Sequence, residues 1–154
     1  MTLVTEIESV AKKYPDSRSA VLPALRLAQE EHGWLSRAAI EEVAGALDLT
    51  PAYCLGVATF YDMFHLQPVG RHTVEVCTNL SCALVGAQRV VDAFEHELGL
   101  RPGETSEDGS VTFRLVECLG ACGYAPAVAV DGRYHHPVHP EDVPAIVEGL
   151  RADS

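Results

Sequence analysis

The chain has 154 residues, 47% of them hydrophobic, with 11 Lys and Arg against 22 Asp and Glu, a net charge of -11. That length and apolar content allow one sizeable core, or one core with a small helical annex, and set disorder aside. The negative excess repels nucleic-acid phosphates and anionic lipid headgroups alike, so neither nucleic acid nor a membrane surface is an expected partner.

From the N-terminus to about residue 65, apolar side chains recur at helical spacing, as in Leu3, Ile7, Val10 and Tyr14 and then Val21, Leu25 and Ala28. The spacing predicts several short helices. Gly33 can end one, Ser36 can cap the next, and Thr50-Pro51 sets a capping residue ahead of proline at a first helical position. The last of these helices is expected to run through Leu55, Ala58, Tyr61 and Phe64 until Pro68 and Gly70 break it.

After Gly70 the period changes to two, with Val74 and Val76 on one strand face and Thr73, Glu75 and Cys77 on the other. The natural cut therefore falls near 66–71, dividing a helical region, 1–68, from a second domain, 69–154. From Ser81 a single helix is expected, with Leu84, Val91, Phe94 and Leu98 on one stripe and Gly99 as its left-handed cap. The polar stretch from Arg101 to Ser110 reads as a loop, and Val111, Phe113 and Leu115 as a second strand. Ala127 to Val130 with Asp131-Gly132 reads as a strand entering a tight hairpin. A final helix starting near Pro140 would bury Val143, Ile146, Val147 and Leu150. The order β-α-β-β-α behind a helical N-terminal part places the chain in the α+β class.

No segment approaches the roughly 20 continuous apolar residues that span a bilayer, and the N-terminus lacks a basic, apolar and cleavable leader. A soluble, cytoplasmic protein is expected, without direct membrane insertion. Thiols stay reduced in that compartment, so five cysteines argue for metal or redox chemistry over disulfide staples. Cys54 falls within the pattern of the fourth helix and reads as a small core hydrophobe.

The other four form two pairs. Cys77-x4-Cys82 lies where the first strand meets its helix, and Cys118-x3-Cys122 follows the second strand. If those strands are neighbours, both pairs reach the same sheet edge. A [2Fe-2S] cluster needs four thiolates in two pairs, which Cys77, Cys82, Cys118 and Cys122 supply as metal and cofactor ligands. Thr78, Asn79 and Ser81, with Gly120 and Gly123, suit close backbone approach to cluster sulfurs, although Ser81 can equally be an N-cap and the glycines turn formers. Structural zinc is a competing occupant, usually held by shorter pairs, and a dithiol redox site would want C-x-x-C, which is absent here. His135, His136 and His139 gather after the hairpin and read as surface residues.

The strings Val-Ala-Thr-Phe-Tyr (57–61), Cys-Thr-Asn-Leu-Ser-Cys (77–82) and Glu-Cys-Leu-Gly-Ala-Cys (117–122), followed by Ala125-Pro126, resemble the 24 kDa subunit of respiratory complex I, the E-type subunit of NADH-quinone oxidoreductase. The resemblance spans nearly the whole chain. It implies an N-terminal helical bundle followed by a thioredoxin-like [2Fe-2S] ferredoxin domain, with Cys77 and Cys82 on one iron and Cys118 and Cys122 on the other. It further implies a one-electron carrier beside the FMN of a larger FMN- and NADH-binding subunit, of the 51 kDa type, peripheral to the inner face of the membrane. Close relatives of the family serve NAD-linked formate dehydrogenases and hydrogenases. Val85 stands where many members carry arginine, and His139 where a threonine-type cap is common. The chain has no G-x-G-x-x-G after a strand, no P-loop and no evident flavin fingerprint, so NADH and FMN are expected on a partner and no complete active site on this chain.

Overall fold

Capping side chains set where the first helices begin. The Thr5 amide donates to Thr2 Oγ1 ahead of α1 (Leu3–Ala11), and the Ser19 amide donates to Asp16 Oδ1 at 3.0 Å ahead of a 3-10 turn, Ser17–Ala20, that leads into α2 (Val21–His32). Gly33, at φ +78°, ends α2 in the left-handed region that glycine enters freely. Ser36 caps α3 (Arg37–Leu47), and Thr50 with Pro51 starts α4 (Pro51–Phe60). The computed structural model describes residues 2–152 and divides into two units, Met1–Pro68 and Val69–Ser154. In the first unit Ile7, Val21, Leu25, Val43, Leu47, Cys54 and Phe64 pack into one core.

Two expectations for this unit need correction. Tyr14 lies beyond the end of α1 and is exposed, so it does not extend the Leu3, Ile7, Val10 stripe. The fourth helix stops at Phe60, where Tyr61 turns to extended backbone, φ -105° and ψ 121°. The cause is tertiary. The Gln29 side chain donates to the Met63 carbonyl at 2.9 Å and accepts from the His65 amide at 2.7 Å, while the Leu35 amide donates to the His65 carbonyl at 2.8 Å. These bonds satisfy the 63–65 backbone outside any helix and turn Phe64 into the core.

The second unit is built on a four-stranded sheet in the order β2-β1-β3-β4, with β1 (His72–Cys77), β2 (Val111–Val116), β3 (Val128–Val130) and β4 (Arg133–His135). β1 and β2 run parallel with Cys77 opposite Val116, and β3 and β4 are antiparallel additions. A parallel pair requires a crossover. Here it is α5 (Leu80–Leu84) followed by α6 (Ala87–Leu98). The single helix expected from Ser81 is therefore two, capped by Asn79, whose Oδ1 accepts the Leu80 amide at 2.7 Å, and broken at Gly86, φ +100°. A 3-10 turn, Pro140–Asp142, leads into α7 (Val143–Ala152). Val74, Val76, Phe113 and Val128 pack with Val90, Val91 and Phe94 of α6 and Val143 and Val147 of α7. Mid-sheet, Arg114 lies 3.5 Å from Glu75.

The β3–β4 turn follows its sequence signal. Asp131 and Gly132 both take positive φ, 51° and 74°, as the Asp-Gly hairpin turn requires. The fourth strand has no alternation to announce it, since all three of its residues are exposed.

Candidate metal centre

The parallel register brings the ends of β1 and β2 level, so the loop leaving Cys77 and the loop leaving Val116 emerge side by side. The Thr78 amide donates to the Val116 carbonyl at 3.1 Å, and Cys77 Sγ lies 3.8 Å from the Glu117 carbonyl that it faces. From the other flank, the Cys77 amide donates to the Ala127 carbonyl at 3.1 Å, which ties the approach to β3 into the same end. The four cysteines of the two pairs thus sit on segments that backbone hydrogen bonds hold together.

Burial differs between the pairs. Cys77 and Cys82 are 4% and 2% exposed, within a small apolar cluster with Ala87, Val116 and Ala127, whereas Cys118 and Cys122 are exposed. Cys82, on α5, packs in the same apolar cluster as Cys77. Burial pushes the Cys82 thiol up, a hydrogen bond with the Ala127 backbone pulls the other way, and the neighbouring sulfurs of Cys77 and Cys122 push it further up. Those same contacts put Cys77 and Cys122 each within electrostatic reach of Cys82.

Cys118 is held differently. Its Sγ accepts the Gly120 amide at 3.3 Å, a bond made possible by Gly120 at φ +72°. Among the described residues no three His, Cys, Asp or Glu side chains converge as ligands of a single ion. The donor set does fit a group that takes two thiolates at each of two irons, with one pair seated in apolar surroundings and one on a glycine-bearing loop.

Two supporting roles go beyond what the cysteine spacing implies. Asn79 starts the helix that carries Cys82, and the Ala127 backbone bonds to both Cys77 and Cys82. An Asn ahead of a short apolar run is the available signal for the first; nothing in the spacing points to the second. Ser81 lies inside α5, one residue beyond its first, and is not the cap. Cys54 is fully buried in α4, and burial alone raises its thiol. His135, His136 and His139 are exposed; the His136 ring stands 4.7 Å from that of Tyr124, and the His139 amide donates to Asp142 Oδ2 at 2.8 Å ahead of α7.

A family model described as thioredoxin-like [2Fe-2S] ferredoxin matches residues 7–151. The chain is 44% identical to an E-type subunit of NADH-quinone oxidoreductase from Rhizobium meliloti, over 99% of this chain and 90% of that protein. It is 41% identical to the E-type subunit of NADH-quinone oxidoreductase from Rickettsia bellii, over 95% of this chain and 89% of that one. Among solved structures, an NAD+-reducing [NiFe]-hydrogenase in the air-oxidised state shares the fold at TM-score 0.75 and 22% identity, covering 86% of this chain and 23% of the hydrogenase chain.

Proposed function

The chain belongs to the thioredoxin-like [2Fe-2S] ferredoxin family, and from that premise we propose that it is the one-electron carrier of an NADH-quinone oxidoreductase, its E-type component, with Val69–Ser154 as its ferredoxin domain and Met1–Pro68 as its helical region. Cys77 and Cys82 would hold one iron, and Cys118 and Cys122 the other. When bound, the cluster supplies reversible acceptance of one electron at a time. The chain's own residues do the rest: Ala87, Val116 and Ala127 keep water from the first pair, and the Gly120 N–H stabilises negative charge on the Cys118 sulfur.

The observation that carries this reading is the level ending of β1 and β2, each followed at once by a cysteine pair. The chain made with iron and sulfide available should be coloured, contain about two irons and two sulfides, and become paramagnetic on reduction with dithionite. Stoichiometric zinc without sulfide would overturn it.

The partner we propose is a larger subunit of the 51 kDa type that carries FMN and NADH, within an assembly peripheral to the inner face of the membrane. Among the described residues no single helix is long and apolar enough to cross a membrane. Residue identity above 40% is with the oxidoreductase relatives, while the likeness to the hydrogenase is one of fold. The helical region has a surface suited to docking. α4 is apolar around its circumference yet buries only Cys54 and Ala58, leaving Leu55, Tyr53 and Phe60 exposed and Tyr61 and Met63 exposed just beyond it. Aromatic side chains are favoured at the buried centres of interfaces.

A further inference from the structure

Among the described residues of the second unit, one fixed positive charge lies towards the cysteine end of the sheet. Val69–Ser154 contains six arginines and no lysine. Arg71 precedes β1 at the end opposite Cys77, with its amide on the Gly109 carbonyl at 3.0 Å. Arg133 opens β4 opposite Val130, at that same far end. Arg151, in the last turn of α7, donates to the Glu97 carbonyl at 2.9 Å near the C-terminal end of α6, and Arg101 follows that end of α6 in sequence. Arg114 lies mid-sheet beside Glu75. Arg89 differs from all of these. It stands in the first turn of α6, directly after the segment that carries Cys82, and its amide donates to the Gly86 carbonyl at 3.0 Å.

Its side chain folds back over Gly86. A Cβ on Gly86 would lie 2.7 Å from Arg89 Nη2 and 3.0 Å from Nε, so the guanidinium occupies the space that glycine leaves open. Gly86 is four residues from Cys82, and chain geometry keeps the two within about 14 Å. Resting on the reading above, in which these cysteines hold a cluster, we propose that Arg89 is a potential-setting residue: its guanidinium, seated over Gly86, favours the reduced state of the cluster. Reduction adds one negative charge, and a nearby cation stabilises that state more than the oxidised one. A unit charge about 10 Å away shifts the reduction equilibrium roughly two-fold at the dielectric of water and roughly fifteen-fold at an effective dielectric near 20. Arg89 is exposed, which puts its effect towards the lower figure and makes it sensitive to salt.

The test is a spectroscopic redox titration of the cluster-loaded full chain at one fixed pH. Arg89→Gln should disfavour reduction about two- to fifteen-fold, Arg89→Lys should restore most of the difference, and the gap between them should narrow at high salt. Arg71→Gln, which removes the same charge from the far end, should leave the midpoint near that of the unmodified chain. An unchanged midpoint in Arg89→Gln would overturn the proposal, as would an equal fall in Arg71→Gln or no recovery in Arg89→Lys. A chain that binds no iron and sulfide would fail the cluster reading itself, a result distinct from a loaded Arg89→Gln protein with an unaltered midpoint.

Discussion

The Gly120 N–H donates to Cys118 Sγ across 3.3 Å, and it does so from backbone at φ +72°. Open space surrounds the position where a Cβ would stand, so only the dihedral resists a side chain there. Gly120→Ala should therefore cost about 1–2 kcal/mol through left-handed strain, read by chemical denaturation. Relief of that strain would turn the N–H away from sulfur and disfavour reduction of the cluster, read by redox titration. A variant as stable as the parent and with the same midpoint would show that this dihedral does not hold the bond.

Replacing the cysteines one at a time separates ligands from packing. Alanine at Cys77, Cys82, Cys118 or Cys122 should abolish or cripple iron retention, measured as iron and sulfide per chain. Cys54→Ala should keep the cluster and lose roughly 1–3 kcal/mol of stability through a small cavity in the helical core. Loss of iron from Cys54→Ala with full retention in one of the other four would reverse the assignment.

The cysteine spacing and the switch from helical to alternating period are both visible along the chain, because a strand face and a helix stripe are written in consecutive residues. The end of α4 is not, because Gln29 stops it from another helix. The break at Gly86 is hidden for a different reason: Leu84, Val91 and Phe94 keep one stripe on either side of it, and a lone glycine in such a pattern is compatible with a continuous helix. The crossover and the Asp131-Gly132 hairpin are both legible, but the strand order β2-β1-β3-β4 is not, because neither says on which side of β1 the third strand adds. Of the site, the residue types are legible and their environments are not. Spacing cannot distinguish a buried pair from an exposed one.

Asp108 offers a pH-dependent test away from the cysteines. Hydrogen bonds from the Ser106 hydroxyl and from the Ser110 hydroxyl and amide lower its carboxyl to about 2. An unfolded Asp titrates near 3.9, so its contribution is complete above that pH and is lost as pH falls through about 2. Carboxyl-detected NMR titration should place the Asp108 midpoint near 2 in the parent and closer to the ordinary Asp value in Ser110→Ala. An ordinary midpoint in the parent would show that the loop does not hold this carboxylate.

Phe60 is 80% exposed on the apolar helix α4. Phe60→Asp should leave folding and iron content unchanged, because the ring touches little of its own chain. It should weaken co-purification with the flavin-bearing subunit by at least about ten-fold, the loss of roughly 1.4 kcal/mol or more expected at an aromatic anchor. Undiminished capture of that subunit would remove the docking role from this helix.

The two cysteine pairs belong to loops that meet only when β2 has come alongside β1, after the crossover through α5 and α6 is complete. A group that needs both pairs can be held only by chains that have finished this pairing, and whatever binds the finished form selectively stabilises it by mass action. Iron content is then a coincidence signal for sheet assembly. Every loaded molecule has closed the parallel ladder, and metal supplied late would load only those that had closed it empty.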